Sequence, residues 1–128
     1  MLLHHSGVVR LCDYGALAPF ALSDVNGEEH CESYWYMAPE VLDGLLDVKS
    51  DVWSLGISLI EMAEGRNPFE GCDGEELKRR MCDGKPPSLS DEEWSAEFVD
   101  FVRKCLVKDV NRRSSVSELM QVSELIED

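Results

Sequence analysis

Residues 50–69 read SDVWSLGISLIEMAEGRNPF. Within this stretch Val52 to Met62 carries a single charge, Glu61, in eleven positions. A helix that is apolar on nearly all sides belongs in the middle of a domain rather than on its surface. Gly56 lies inside it at a cost of about 1 kcal/mol in helix propensity, which predicts a neighbour packed against its backbone. The sequence on either side is then read as what covers this helix.

Downstream, Glu75 to Cys82 is a short amphipathic segment, and Pro86-Pro87 breaks the chain after it. Ser90-Asp91-Glu92-Glu93 has the form of a capping box and predicts a helix start. Phe98, Phe101, Val102, Cys105 and Leu106 then recur at i, i+3, i+4, i+7 and i+8, one apolar helical face. Ser115 with Glu118 makes a second capping box, and Val116, Leu119 and Met120 are expected to begin the last apolar face. Upstream, Met1-Leu2-Leu3 and Val8 to Cys12 are apolar runs joined by His4-His5-Ser6-Gly7, the pattern of a β-hairpin. Ala16 to Ser33 mixes Pro, Asn, Gly, Asp and Glu without period and reads as a long loop, a class that is usually functional or disordered. The expected layout is one hairpin, one long loop, one buried helix and three or four helices around it.

The charge balance, 26 acidic against 12 basic residues for a net −14, argues against a nucleic-acid or anionic-membrane binder, since both need basic surface. The short runs Lys78-Arg79-Arg80 and Arg112-Arg113 read as solvated helix faces or ion-pair partners. Five cysteines (Cys12, Cys31, Cys72, Cys82, Cys105) without CxxC spacing fit neither a disulfide framework nor a zinc site, so no disulfides are expected. A reduced, cytoplasmic compartment follows. His4, His5 and His30 lack the company of other ligands. No secretory segment and no apolar run near eighteen residues occurs, so no membrane association is expected.

Four short pieces stand in order: Arg10-Leu11-Cys12-Asp13-Tyr14-Gly15; SYWYMAPEVL with Ala38-Pro39-Glu40; Asp51 opening SDVWSLGISLIEMAEGRNPF; and LVKDVNRRSS with Arg113. Singly they read as a strand ending in a turn, another turn, a helix N-cap and a surface charge. Together they resemble the C-terminal lobe of a eukaryotic protein kinase, serine/threonine type, on the Ste20 and MAP-kinase-kinase side. The resemblance covers nearly the whole chain. It implies a mainly α fold, the helical lobe of the α+β kinase fold, with an N-terminal β-hairpin and a long activation loop. Within a partial kinase domain spanning 1–128, residues 1–15 would be the hairpin and metal-binding motif, 16–40 the activation segment and 41–128 the helical subdomain.

The same resemblance assigns residues. Asp13, held at the end of a strand, would be a Mg²⁺ ligand beside the nucleotide phosphates of ATP. Tyr14 stands where Phe is more usual, Gly15 would allow the turn that aims the carboxylate, and Leu2 would lie under the adenine ring. Ser33 matches the Thr that orients the catalytic Asp. Glu40 and Arg113 would form a buried ion pair that anchors the end of the activation segment, costly to break because it leaves one charge uncompensated. Asp51 would accept N–H bonds from the catalytic loop, while Trp53, Leu55, Ile57, Leu59 and Ile60 would form the central apolar post. Departures occur at Glu32-Ser33, where relatives carry Gly-Thr, and at Tyr34, where they carry a small residue or proline.

The 128 residues contain no Gly-rich loop, no Val-Ala-Ile-Lys strand and no His-Arg-Asp loop. Met1 aligns just after the Asn that would hold a second Mg²⁺. Phosphoryl transfer depends on positioning and charge stabilisation, so one metal ligand is not expected to catalyse it. With a strand opening at the first residue, the chain reads as part of a kinase whose N-lobe lies elsewhere, with a protein substrate as the parent's partner. The alternatives are a non-catalytic, pseudokinase-like interaction module and a half completed by a separate chain. In the loop, Glu29 falls at the position where MAP-kinase-kinase-like relatives carry an activating phosphate. Ser23 is the hydroxyl nearest the other phosphorylated position, Val25. Glu29 would then replace part of the phosphate's charge.

Overall fold

The computed structural model describes residues 2–11, 34–90 and 92–124. Its elements are β1 (Leu2–Leu3), β2 (Val9–Arg10), α1 (Pro39–Leu42), α2 (Ser50–Glu64), α3 (Gly74–Cys82), α4 (Ala96–Cys105) and α5 (Val116–Glu124). The chain is mainly helical, as the composition of its periodic segments requires. The two strands pair antiparallel with Leu2 opposite Arg10 and Leu3 opposite Val9, and the turn between them is closed by His4 N–H donating to Val8 O at 2.9 Å. Tyr14, Gly15 and the rest of the long loop through Ser33 lie outside the described residues.

Helix α2 is the post around which the rest packs. Val52, Trp53, Gly56, Ile57 and Ile60 are buried, while Leu55 and Leu59 are half-buried and Met62 is exposed. Its main neighbour is α4, which presents Val99, Val102 and Cys105, continued by Leu106. Gly56 sits at this crossing. A Cβ there would meet Leu106 Cδ2 at 2.7 Å and Cys105 Cβ at 2.9 Å, closer than carbon atoms pack, so the glycine is what lets α4 approach. The helix stops at Gly65, whose φ of 73° is the left-handed turn that glycine takes without a Cβ clash. Helix α3 covers α1 and buries Leu77 and Met81, and α5 packs on α4 through Leu119.

Three expectations need correction. The start of α4 is not set by Ser90-Asp91-Glu92-Glu93. Ser90 closes a turn, accepting from Glu92 N–H at 3.4 Å through its hydroxyl, and the cap is Ser95, whose Oγ accepts from Phe98 N–H at 3.3 Å. A serine hydroxyl offers the same local bond in a turn as at a cap, so spacing alone could not choose between them. The apolar face of α4 is also rotated: Val99 is buried, whereas Phe98 and Phe101 are half-buried at its edges. Finally, of the three residues expected to begin the last apolar face only Leu119 is buried; Val116 and Met120 are exposed. The second capping box forms reciprocally, with Ser115 N–H donating to Glu118 Oε2 at 2.7 Å and Glu118 N–H to Ser115 Oγ at 3.3 Å. That bonding holds the Glu118 carboxyl below the usual carboxylate range.

Among the described residues no helix is long and apolar enough to cross a membrane, and Cys82 and Cys105 are free thiols. Burial pushes the Cys105 thiol up to about 12 despite the nearby Arg113 charge, so it stays protonated and inert at neutral pH.

Candidate functional site

Segment 34–42 is held against α2 by a row of side-chain bonds. Ser50, Ser54 and Glu61 stand four and seven residues apart, and at 3.6 residues per turn they share one side of the helix within roughly 40°. Ser54 Oγ donates to Tyr36 O at 2.7 Å, and Tyr36 donates its phenolic O–H to Glu61 Oε2. The same Glu61 oxygen accepts from Asn67 Nδ2 at 2.9 Å, while Asn67 Oδ1 caps Phe69 N–H at 3.0 Å. Ser50 Oγ donates to Glu40 Oε1 at 2.8 Å. So α2 is not apolar all round: it keeps a narrow polar stripe, and that stripe receives segment 34–42.

Glu40 is the second residue of α1, after Pro39, whose fixed φ suits the first helical turn. From there its carboxylate meets Arg113, which comes from the loop between α4 and α5. The pair is bidentate: Nη1 to Oε1 at 2.7 Å and Nη2 to Oε2 at 2.9 Å, with side-chain exposures of 0% for Arg113 and 7% for Glu40. Burial without a partner would be prohibitive here, and every guanidinium donor is used. Nη1 also donates to Lys49 O at 2.9 Å, Nη2 to Lys108 O at 3.3 Å and Nε to Val107 O at 2.8 Å. With the two bonds to Glu40, these account for the five N–H groups of arginine. The guanidinium carbon lies 5.3 Å from the centre of the Trp53 ring, a cation–π contact. Burial pushes the Glu40 carboxyl upward, but bonds from Arg113, from its own backbone N–H and from Ser50, with the Arg113 charge, outweigh it and hold Glu40 below the usual carboxylate range. One arginine thereby joins α1, the start of α2 and the loop after α4.

The remaining assigned residues are placed as follows. Leu2 lies in β1, paired with Arg10. Asp51 is in the first turn of α2 and exposed; it is not the N-cap, which falls at Lys49, and Asp47 Oδ1 accepts from Lys49 N–H at 2.8 Å just before the helix. Asp13, Ser23, Glu29 and Ser33 lie outside the described residues. The structure therefore brings Glu40 and Arg113 together and leaves Asp51 apart from them, at the solvent side of α2. The residues that sequence reading passed over are Tyr36, Ser50, Ser54, Glu61 and Asn67. The signal available was the recurrence of serine and glutamate along one side of an otherwise apolar helix.

Residues 1–123 match the family model described as the protein kinase domain. The chain belongs to that family. It is 38% identical over 128 residues to the dual specificity mitogen-activated protein kinase kinase hemipterous of Drosophila melanogaster, covering 94% of this chain and 11% of that protein. The serine/threonine-protein kinase cst-1 of Caenorhabditis elegans is 35% identical over 123 residues, covering 94% of this chain and 25% of the relative. For the serine/threonine-protein kinase hippo of Drosophila melanogaster the figures are 34%, 94% and 18%. The chain thus spans between about a tenth and a quarter of the length of these relatives. Its likeness is to serine/threonine kinases of the Ste20 kind and to a MAP kinase kinase, over the part of the domain that forms the helical lobe.

Proposed function

We propose that the chain is the helical lobe of a serine/threonine protein kinase which, when whole, transfers the γ-phosphate of ATP to a protein hydroxyl, and that the 128 residues alone do not catalyse this step. The observation that supports it best is the fastening of segment 34–42 by Ser54, Glu61 and the buried Glu40–Arg113 pair. A loop that presents a substrate hydroxyl needs a rigid floor, because phosphoryl transfer is governed by positioning. On this reading residues 16–40 are the activation segment and 41–128 the subdomain that holds its end. Asp51 would receive N–H groups of the catalytic loop supplied by the rest of the domain, consistent with its exposed carboxylate here.

ATP would supply the phosphoryl group and Mg²⁺ would neutralise its charge. Of the residues assigned to them, Asp13 lies outside the described residues and Leu2 is known by its strand pairing alone. Among the described residues no cluster of three or more His, Cys, Asp or Glu side chains is placed to hold a metal ion. The described residues therefore do not make up the nucleotide site. Their role is mechanical: to bind and orient the segment that meets a protein substrate. The reading keeps the protein cytoplasmic, with the N-lobe and the protein substrate as partners. It also gives Ser33 the orienting role and Glu29 the charge of a phosphate.

A chimera tests it. Residues 2–124 replace the aligned stretch of the cst-1 kinase domain, and transfer of labelled phosphate to a generic protein substrate is measured beside the 1–128 chain. The chimera is expected to be active and the isolated chain silent. A folded but inactive chimera would instead support the non-catalytic interaction module. Transfer by the isolated chain, lost in Asp13→Ala, would overturn the claim that the lobe alone cannot act.

A further inference from the structure

A cleft of about 390 Å³ opens where the turn after α2, the C-terminal half of α3 and the loop beyond it converge. Its floor and walls are Pro68, Phe69, Pro86 and Pro87, with Arg80 and Lys85 among them, and no carboxylate lines it. None of these residues belongs to the Glu40–Arg113 site. The volume lies within the ~300–1,000 Å³ of ordinary ligand clefts.

Two cations thus share one carboxylate-free cleft on a chain of net charge −14. Four basic side chains elsewhere are paired locally: Arg79 with Glu76, Arg103 and Lys104 with Asp100, and Arg113 with Glu40. Among the described residues neither Arg80 nor Lys85 makes a salt-bridge contact, although the Arg80 charge acts on Glu76 one helical turn away. Nor is Arg80 a loose surface arm. Its guanidinium carbon sits 5.6 Å from the centre of the Phe69 ring, and Nη1 donates to Cys72 Sγ at 3.1 Å. The loop carrying Lys85 is tied down as well, because Lys108 Nζ donates to Gly84 O and reaches Arg80 O at 3.5 Å. Pro86-Pro87 stiffens the other wall through its fixed φ angles. The Arg80 guanidinium and the backbone that carries Lys85 are therefore held before any partner arrives, which lowers the ordering cost of binding.

We propose that this cleft docks an acidic segment of a partner protein in extended form, its carboxylates pairing with Arg80 and Lys85 and an apolar side chain resting on Pro68, Phe69 and the proline wall. Charge complementarity selects this occupant: a basic segment would meet unpaired cations, and a purely apolar one would leave them desolvated. The bidentate fork of arginine suits a carboxylate in particular. The docking does not depend on phosphoryl transfer, so it stands or falls apart from the kinase reading.

The probe is a fluorescein-labelled octapeptide alternating Glu with Leu, measured by fluorescence polarisation on the 1–128 chain. Controls carry Gln or Lys in place of Glu. The Glu peptide is expected to bind at least tenfold more tightly than either control and to weaken with added salt. Lys85→Gln, at an exposed loop position, should weaken binding about threefold or more, and Arg80→Gln/Lys85→Gln about tenfold or more, by loss of charge-assisted bonds. Arg79→Gln, next to the cleft but paired with Glu76, should change it less than about twofold, as expected for an exposed i, i+3 pair. Equal binding of Glu and Gln peptides overturns the proposal. So does a loss in Arg79→Gln as large as in Lys85→Gln, which would indicate diffuse charge attraction rather than a site.

Discussion

Replacing Arg113 with methionine is the sharpest probe of how the lobe is held together. Methionine keeps most of the apolar stem against Trp53 but removes all five donors. Glu40, 7% exposed, would be left with Ser50 and its own backbone, and the carbonyls of Lys49, Val107 and Lys108 would lose their Arg113 bonds. Breaking a buried pair from one side costs about 3–5 kcal/mol. Against about 0.05–0.15 kcal/mol of stability per residue, that is a large share of what the chain has. With unfolding entropy near 2.1 cal/mol/K per residue, a loss of about 4 kcal/mol lowers the melting temperature by about 15 °C. The assay is urea and thermal unfolding followed by circular dichroism, on Arg113→Met, Glu40→Gln and the double variant. The double variant should be less destabilised than the sum of the singles by about 1 kcal/mol or more, since the second change removes a charge already orphaned. The pair also has a pH signature. Because the Glu40 carboxyl is held below its ordinary value, the stability it contributes is present above the unfolded-state pKa and is lost as pH falls through the folded one. The gap between the native chain and Glu40→Gln should therefore narrow on acidification. An Arg113→Met loss under about 1 kcal/mol, or strict additivity within about 0.5 kcal/mol, would refute the reasoning.

Gly56→Ala should destabilise the chain in urea titration, because overpacking against Leu106 and Cys105 costs about 1–3 kcal/mol and exceeds the propensity gain of about 1 kcal/mol; a variant as stable as the native chain would show that α4 can yield. Iodoacetamide labelling mapped by mass spectrometry should modify Cys82 in the native chain and reach Cys105 only on unfolding, given burial of Cys105 and its raised thiol pKa. Leu45, Leu46 and Val48 are 64%, 78% and 86% exposed in the turn before α2, so the chain should bind a hydrophobic dye and Leu46→Ser/Val48→Ser should bind less; no dye binding by the native chain would count against an apolar surface there. In the chimera, activity that survives phosphatase treatment and falls in Glu29→Gln is expected if Glu29 stands in for a phosphate, whereas phosphatase sensitivity with an indifferent Glu29→Gln rejects that role.

Local pattern was enough to find α2 to α5, though not α1, whose Ala38-Pro39-Glu40 reads as a turn. An eleven-residue apolar run with one charge can satisfy neither water nor a surface position, so α2 had to be the post, and Gly56 within it had to mark a close approach. The Ser115–Glu118 box was legible because both of its bonds lie within four residues. The choice of Ser95 over Ser90 was not, since two serines five residues apart offer the same local bond and only the packing of Val99 and Val102 decides which starts the helix. Nor could periodicity say that Val116 and Met120 stay exposed, because an apolar face is buried only where another element reaches it. Glu40 and Arg113 lie 73 residues apart, and motif order suggested them as partners. The three backbone carbonyls that complete the arginine's shell carry no side-chain signature and exist as a set only after α1, α2 and the loop beyond α4 meet. The Arg80–Lys85 cleft belongs to the same class. Each residue reads as ordinary surface charge in the sequence, and it is the convergence of three separate segments around Phe69 that sets two cations on one cleft with no carboxylate among its walls.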